Sequence, residues 1–503
     1  MITVDELSKY IAEDNHDAVR IYKELVSCYQ TTSNDYAEEV NLLGIYFFEL
    51  LKFLTQSHFK KKEISKGIQP TDSLVKQRLE SWPYLGYDDL TAKTSIPKKK
   101  YGKKISFSQS FSRKAMNGIA NLYGTLAHSG APRLDVSTPM IDSKSNLWIS
   151  SRLNTGLVQL EENWFAVPHF DDQLNGILHC IRHVMNSCNH LLNVEVATDL
   201  MEAHIRANCR EGHARVKLPG DALLLKSGVE LKNRMLAAVT KRQGKPVINI
   251  MHGEAFGVCD EPIFSDFGEQ MYSSAILGYG AGVKEAGSYD YGMKEGVAYF
   301  ESNGVQVSRL YQREFRGIRS RNRQPAFYYY PTTLSGSSHR YGPFRDTADY
   351  YYIEWQRLLI DLFDNSLKVK AHPKEKNQMI YSFPNTKVVT GSFDELLSQI
   401  DVFVFDYIGT AFNVACATDK PVVYFNLGIR NINPIALEEI KERTIYFDIR
   451  DGLPSYEEII EKLKFRDREN SYSIKYSLSR ENKDRLRALE DGVAELFHRG
   501  DLQ

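Results

Sequence analysis

Residues 401–425 place two short apolar runs on either side of a stretch of small residues, and this pattern constrains the fold of the chain most strongly. Val402–Phe405 is too short for a helix and is rich in β-branched and aromatic residues, as buried parallel strands are. Val422–Phe425 has the same character. Between the two runs, Thr410 is predicted to cap a helix over about residues 411–418. The segment therefore predicts a strand–turn–helix–strand unit of an α/β sheet.

The alternation of short apolar runs with helical patterns recurs between residues 130 and 450. Further strands are predicted at 222–225, 246–251, 326–333 and 367–371, and helices at 229–241, 350–363 and 392–400. This order is typical of doubly wound parallel sheets. We therefore predict an α/β fold with two Rossmann-like domains and a cleft between them.

The same patterns predict where the domains begin and end. Apolar residues at helical spacing predict an N-terminal helical accessory region that includes a basic loop, within 1–125. The two Rossmann-like domains are predicted at 126–325 and 326–476. A charged amphipathic helix is predicted in the C-terminal segment, 477–503.

Composition narrows the class of protein. The chain has 63 basic and 64 acidic residues and a formal net charge of −1, so we expect no nucleic-acid partner. No stretch of 18 or more apolar residues occurs and the N-terminus has no apolar signal segment, so we expect a cytoplasmic protein. The six cysteines include no CxxC pair, which argues against a zinc site or a disulfide scaffold.

Residues 98–114 form the most basic segment of the chain. With the four residues before them, they contain seven basic and three aromatic residues and no acidic residue. A solvated loop explains this composition. The alternative is a contact with anionic lipid on the inner face of the plasma membrane, or with a phosphorylated acceptor.

Ligands of doubly wound sheets bind beyond the carboxyl ends of the strands, so polar residues directly after each predicted strand are the candidate site residues. Such turns are Lys226-Ser227-Gly228, His252-Gly253-Glu254, His372-Pro373-Lys374 and Asp406-Tyr407-Ile408-Gly409-Thr410. A histidine here suits a general base, although histidines in this position are more often structural. The helix start after Gly409 suits an anion, although an ordinary capped helix explains it equally well. The glycine-rich stretch 278–282 is discounted as a nucleotide loop, because no strand is predicted before it.

The order of these motifs resembles the CDP-glycerol glycerophosphotransferase family of teichoic-acid enzymes. The similar segments are KPVINIMHGEAFG, AFYYYPTTLSG, LKVKAHPKE and SFDELLSQIDVFVFDYIGTAFNVACATDKPVVYF, within residues 245–430. The histidine-proline turn is also similar to that of bacterial sialyl- and Kdo-transferases that use CMP-sugars. Met251, Glu254 and Ile408-Gly409 depart from the tryptophan, threonine and double serine of the teichoic-acid pattern. The resemblance implies the GT-B architecture.

The resemblance implies a glycosyltransferase of bacterial capsule, O-antigen or lipopolysaccharide synthesis. A CMP-activated acidic sugar such as Kdo is the expected donor, a saccharide or lipid-linked molecule is the expected acceptor, and no cofactor is expected. The nucleotide would bind 326–476 and the acceptor 126–325. The residues expected to contact the donor are His372, Pro373, Lys374, Asp406, Gly409, Thr410, Thr332 and Ser392. The alternatives are polyol-phosphate transfer from a CDP donor, a non-catalytic scaffold subunit, and a nucleotide-sugar epimerase.

Catalysis is expected from the turn at residues 252–254. His252 is the expected general base of an inverting reaction. In a retaining double displacement, Glu254 or Asp221 would be the nucleophile. Otherwise Glu254 would orient the imidazole. Other residues expected to line the cleft are Lys226, Ser227 and Gly253. No metal site is expected, because Asp221 and Glu254 come from different turns.

Overall fold

The structure is a computed structural model of the chain. It describes residues 134–136, 155–157, 165–187, 209–212, 220–225, 231–251, 257–259, 269–278, 282–285, 296–301, 325–331, 349–364, 366–371, 386–391, 393–418, 420–428, 430–464 and 471–476, together with single positions elsewhere. Most of the predicted regions 1–125 and 477–503, including all of the basic segment 98–114, lies outside these residues. The predicted domain boundaries stay predictions.

The structure describes eight strands and three helices within residues 134–301. The strands are β1 Leu134–Val136, β2 Thr155–Leu157, β3 Phe165–Val167, β4 Cys209–Glu211, β5 Ala222–Leu225, β6 Val247–Ile250, β7 Ala275–Gly278 and β8 Ala298–Glu301. The helices are α1 Phe170–Ser187, α2 Leu231–Arg242 and α3 Gly282–Glu285. Among the described residues, six strands form a parallel sheet in the order β2-β1-β5-β6-β7-β8, and β3 pairs with β4. Every residue of β5, β6 and β7 is buried, as in strands that are covered on both faces.

A second parallel sheet follows between residues 327 and 448. Its strands are β9 Phe327–Tyr329, β10 Lys368–Lys370, β11 Lys387–Val389, β12 Val402–Phe405, β13 Val422–Asn426 and β14 Ile445–Asp448. The helices are α4 Asp349–Leu362, α5 Phe393–Leu396, α6 Thr410–Cys416, α7 Pro434–Arg443, α8 Tyr456–Lys464 and α9 Ser471–Tyr476. Within the described residues the strand order is β11-β10-β9-β12-β13-β14. The prediction of an α/β fold with parallel sheets is confirmed.

Alternate residues of β9 and β12 build apolar cores on opposite faces of the second sheet, because successive side chains of a strand point to opposite sides. Phe327, Tyr329, Val402 and Val404 share one core with residues of α4 and α8. Tyr328, Tyr330, Phe403 and Phe405 share the other core with residues of α5, α6, α7 and α9. Both faces are covered, so the strands read as continuous apolar runs in the sequence.

The cysteines include one pair that the sequence did not predict. Cys28 and Cys180 form a disulfide, with Cα atoms 5.7 Å apart and 152 residues between them in sequence. Cys180 lies in α1, so the disulfide ties this helix to the N-terminal region. The spacing of the cysteines did not reveal the pair, because the two residues meet only through the tertiary fold. Cys209, Cys259 and Cys416 are buried thiols.

The start of α6 also differs from its prediction. Gly409 is the residue before the helix and has extended backbone, and Thr410 is the first helical residue. No side chain caps the helix through a hydrogen bond, so the prediction that Thr410 is the cap is wrong. The helix ends at Cys416, earlier than predicted.

The glycine-rich stretch 278–282 begins at the last residue of β7, so the expectation that no strand precedes it is wrong. A Cβ atom on Gly278 would lie 2.1 Å from Cε2 of Tyr299 in β8. A Cβ atom on Gly282 would lie 2.1 Å from Cε1 of Tyr476 in α9. Both positions therefore require glycine, because a tyrosine ring packs directly on the backbone.

Helix α9 contacts helices that connect strands of both sheets, and sequence reasoning missed it. The Lys475 ammonium lies 2.8 Å from the Glu285 carboxylate in α3 and 2.6 Å from that of Glu439 in α7. The Tyr472 hydroxyl donates a 2.8 Å hydrogen bond to Oδ1 of Asn413 in α6. The predicted helix at 477–503 begins only after this segment and lies almost wholly outside the described residues.

Arg443, the last residue of α7, buries its guanidinium at the end of α6. Its Nε donates to the Cys416 carbonyl over 2.8 Å. Its Nη2 donates to the carbonyls of Ala415, Thr418 and Lys420. The carbonyls at a helix C-terminus lack intrahelical partners and carry partial negative charge, so a buried cation is favourable there.

We expect the substitution Arg443→Met to lower the free energy of unfolding by about 2–4 kcal/mol, because it leaves buried carbonyls without donors. Urea unfolding followed by circular dichroism measures the change. The matched control is Lys441→Met on the same helix, where an exposed ion pair with Glu438 and a cation–π contact with Tyr446 are lost at a cost of about 1 kcal/mol or less. Equal losses in the two variants would contradict the assignment.

Candidate functional site

The strand order of the second sheet reverses between β9 and β12. From β9 the chain proceeds outward to β10 and β11 on one side, and from β12 to β13 and β14 on the other. At such a point the connections leave on opposite faces and open a crevice at the carboxyl ends of the strands, where doubly wound proteins bind ligands. Tyr330 follows β9 and Asp406 follows β12, so these residues lie at the candidate site. The first sheet has the same reversal between β1 and β5.

Asp406 is 2% exposed and receives hydrogen bonds from β9 and α4. The Tyr352 hydroxyl donates to its Oδ1 over 3.0 Å. The Trp355 indole Nε1 donates to its Oδ2 over 2.8 Å. The Tyr329 hydroxyl also donates to Oδ2. These donors are neutral, and they hold the carboxylate on the α4 face of the sheet.

Burial is the main influence on the titration of this cluster. It raises the pKa of Asp406 from 3.8 to about 6, although the hydrogen bonds from Tyr329, Trp355 and Tyr352 favour the ionised form and oppose the rise. Burial and the nearby Asp406 charge both raise the pKa of Tyr329 well above its usual value. The tyrosine hydroxyl therefore stays protonated and serves as a donor. The cluster fixes the end of β12 where the turn into α6 begins.

Tyr407, the next residue, supports a buried cation. The guanidinium carbon of Arg430 lies 4.0 Å from the centroid of the Tyr407 ring, and Arg430 is 8% exposed. Arg430 belongs to the segment that follows β13, so the contact joins turns from neighbouring strands. A cation over an aromatic face is attracted by the ring quadrupole. The contact places positive charge at the carboxyl edge of the sheet.

Segments from the carboxyl ends of the two sheets touch each other. Asn433, in the segment after β13, donates from its backbone N–H to the Val258 carbonyl over 2.7 Å. Its Nδ2 donates to the Gly257 carbonyl over 3.2 Å. Cys259 and Ile432 form an antiparallel bridge. Because residues 257–259 lie in the segment after β6, these contacts join that segment to the one after β13.

A buried polar network lies below the carboxyl edge of the first sheet. The Glu269 carboxylate accepts a 3.3 Å hydrogen bond from the backbone N–H of Gly228 and another from Nδ2 of Asn249. Arg234, 1% exposed, donates to the Gly228 carbonyl over 3.3 Å. Gly228 ends the predicted turn Lys226-Ser227-Gly228, so the network holds the end of this turn. Sequence reasoning missed Glu269, Arg234 and Asn249.

The predicted site residues within the described part of the chain are Asp221, Asp406, Gly409 and Thr410. Asp221 is exposed and directly precedes β5, at the amino edge of the sheet. This placement counts against its proposed role as nucleophile, because the crevice lies at the carboxyl edge. Gly409 is buried and Thr410 exposed. The predicted residues outside the described part are Lys226, Ser227, His252, Gly253, Glu254, Thr332, His372, Pro373, Lys374 and Ser392.

The remaining observations on the site are negative. Among the described residues, no group of three or more side chains could hold a metal ion. In the same residues, no helix combines the length and apolar character needed to cross a bilayer. No protein-family model matches the chain, and no curated protein matches it. The case for a function therefore depends on the fold and on the residues at the strand ends.

The raised pKa of Asp406 predicts a pH dependence of stability. Because the folded pKa of about 6 lies above the ordinary 3.8, the folded protein binds this proton more tightly than the unfolded chain. The stabilisation is fully present below about pH 3.8 and is lost as the pH rises through about 6. As the pH rises across this interval, ionisation of Asp406 should therefore lower the free energy of unfolding by up to about 3 kcal/mol.

Urea unfolding at several pH values between 3 and 7, for the parent protein and Asp406→Asn, measures this dependence. We expect the fall in the free energy of unfolding to be about 3 kcal/mol smaller in Asp406→Asn, which has no titrating group at this position. Asp361→Asn, at an exposed position of α4, is the control and should retain the parent's slope. The pKa assignment is wrong if Asp406→Asn also retains it.

Proposed function

We propose that this protein is a GT-B glycosyltransferase of bacterial surface-polysaccharide synthesis. It transfers a sugar from a CMP-linked donor, such as Kdo or another acidic sugar, to a saccharide or lipid-linked acceptor. The single observation that carries the proposal is the order of neighbours in the second sheet. Each turn expected to contact the donor follows one of the adjacent strands β11, β10, β9 and β12 in the chain.

This adjacency supports one shared site. Ser392 follows β11, His372-Pro373-Lys374 follows β10, Thr332 follows β9 and Asp406–Thr410 follows β12. The carboxyl ends of parallel neighbours meet at one edge of a sheet. Turns that are separated by up to about 75 residues in sequence would therefore converge on one ligand, and an imidazole and an ammonium among them suit the phosphate of a nucleotide.

The turns proposed to hold the acceptor also follow neighbouring strands. The turns Lys226-Ser227 and His252-Gly253-Glu254 follow β5 and β6, which are neighbours in the first sheet. The hydrogen bond from Asn433 to Val258 joins the segment after β13 to the segment after β6, which supports one site formed by both sheets. In a GT-B enzyme this arrangement holds the acceptor opposite the donor.

The proposed reaction is a direct displacement. The acceptor hydroxyl attacks the anomeric carbon, the bond from that carbon to the phosphate oxygen breaks, and CMP leaves with the bonding electron pair. His252 takes the proton of the attacking hydroxyl, and Glu254 orients its imidazole. His372 and Lys374 stabilise the charge that develops on the departing phosphate. In the retaining alternative the nucleophile is Glu254 rather than Asp221, because Asp221 lies at the amino edge of its sheet.

The proposed location is the cytoplasm, with residues 98–114 as a contact to anionic lipid at the inner membrane surface. The Cys28–Cys180 disulfide is the observation that counts against this location, because cytosolic thiols are normally kept reduced.

A thermal-shift panel of CMP, CDP, UMP, UDP and GDP tests the donor assignment. We expect the cytidine nucleotides to stabilise the protein, by about 2.7 kcal/mol at 100 times the dissociation constant. His372→Ala should weaken this effect, because it removes a donor to the phosphate. His179→Ala, at an exposed position of α1, is the matched control. Protection by UMP or GDP without protection by CMP or CDP would refute the assignment, and protection by CDP alone would favour polyol-phosphate transfer.

The base assignment predicts a loss of turnover without a loss of binding. We expect His252→Ala to bind CMP like the parent and to turn over about 10² to 10⁴ times more slowly, the usual contribution of a general base. Glu254→Gln should be slower by a smaller factor, since it changes only the orientation of the imidazole. Turnover of His252→Ala within a few-fold of the parent, or a glycosyl adduct on Glu254 detected by mass spectrometry, would rule out the mechanism.

A further inference from the structure

Tyr330 is the first residue after β9, at the strand-order reversal that defines the candidate site. Its backbone N–H donates to the Val404 carbonyl of β12 over 3.0 Å, so the residue is held against the neighbouring strand of the crevice. Its side chain belongs to the core on the α5 and α6 face, opposite the face that holds Asp406. Tyr330 and Asp406 therefore lie on the two sides of the same reversal.

The Tyr330 ring is surrounded by aromatic rings. Its centroid lies 5.5 Å from Phe405 in a stacked arrangement, 5.8 Å from Phe403 and 5.5 Å from Phe393. Phe393 is the first residue of α5, in the segment that follows β11. The surroundings therefore extend from the end of β12 to the segment after β11, along the strands whose turns are proposed to contact the donor.

The hydroxyl of Tyr330 is buried and has no hydrogen-bond partner among the described residues. The residue is 8% exposed. Burial raises the pKa of this hydroxyl, which stays neutral and can donate or accept a hydrogen bond. Buried polar groups without partners are rare in folded proteins, because burial removes water without a replacement. Such a group at a candidate ligand site is therefore accounted for if a ligand supplies the partner.

The groups around the Tyr330 hydroxyl indicate which part of a ligand would bind there. A phosphate needs cations or several N–H donors, whereas this position offers aromatic carbon and one neutral hydroxyl. A planar heterocycle with a polar edge matches both features, since its face packs on aromatic rings and its edge takes a single hydrogen bond. Given the proposed function, on which this inference rests, we infer that Tyr330 binds the pyrimidine base of the nucleotide donor through its hydroxyl.

Tyr476 provides a matched control. It is 2% exposed in α9, and its hydroxyl is also buried without a partner among the described residues. It contacts Tyr330 only through a series of rings, Phe405, Phe412 and Tyr472. Tyr476→Phe therefore removes the same chemical group from the same core, away from the strand-order reversal.

The experiment measures CMP, UMP and ribose 5-phosphate binding to the full chain by isothermal titration calorimetry, for the parent, Tyr330→Phe and Tyr476→Phe. We expect Tyr330→Phe to weaken CMP binding by about threefold to tenfold, the usual effect of one neutral hydrogen bond. Ribose 5-phosphate binding should not change, because this ligand lacks the base. Both variants should melt at or above the temperature of the parent, since each loses an unpaired buried hydroxyl. Tyr476→Phe should bind CMP like the parent.

Three results would overturn the inference. If the parent binds CMP and Tyr330→Phe binds it equally well, the hydroxyl does not contact the donor, and the proposed function still stands. If Tyr330→Phe weakens CMP and ribose 5-phosphate equally, the contact is to the ribose or the phosphate. If the parent binds none of the nucleotides, the proposed function fails and the inference fails with it.

Discussion

The centre of the second sheet depends on the hydrogen bonds that the buried Asp406 carboxylate accepts. Hydrogen bonds from Tyr329, Tyr352 and Trp355 tie the end of β12 to β9 and to α4. A buried charge is tolerated only when its oxygens are satisfied, so each donor is required as much as the acid itself. The crevice between β9 and β12 keeps its shape because this cluster holds one of its walls.

Two other buried charges, Arg443 and Lys420, donate to backbone carbonyls near the ends of secondary-structure elements. Arg443 donates to carbonyls at the end of α6. Lys420 donates from its ammonium to the carbonyls of Leu397 and Ile400, just before β12 begins. In both cases a cation donates to carbonyls at the end of a helical segment or just beyond it, where intrahelical donors run out. Fixed side chains thus end the elements around the candidate site. They hold the turns that follow these elements in place.

The proposed transferase chemistry needs cations for a phosphate and an apolar position for a base. In the second sheet, different residues meet these two requirements. Arg430 places positive charge over Tyr407 at the carboxyl edge, and the turn with His372 and Lys374 follows the neighbouring strand β10. Tyr330 lies among aromatic rings on the other side of the reversal. Separate polar and apolar parts of one crevice suit a ligand that is itself part anion and part heterocycle.

The sequence by itself determined the α/β class and the main strands, because burial of both sheet faces forces continuous apolar runs such as Val402–Phe405. It also indicated which turns are polar. Short strands with mixed sequences, such as β1 and β11, carry no such signal and were missed.

Tertiary structure alone decided which distant residues meet. The partners of Asp406 are 51 to 77 residues away, and Cys28 meets Cys180 across 152 residues. Only the order β11-β10-β9-β12 makes neighbours of the turns after those strands, and only the position of Asp221 before β5 separates it from the crevice. Local periodicity reports how far a residue is buried within its own element. Contacts between elements depend on strand order, which local periodicity does not encode.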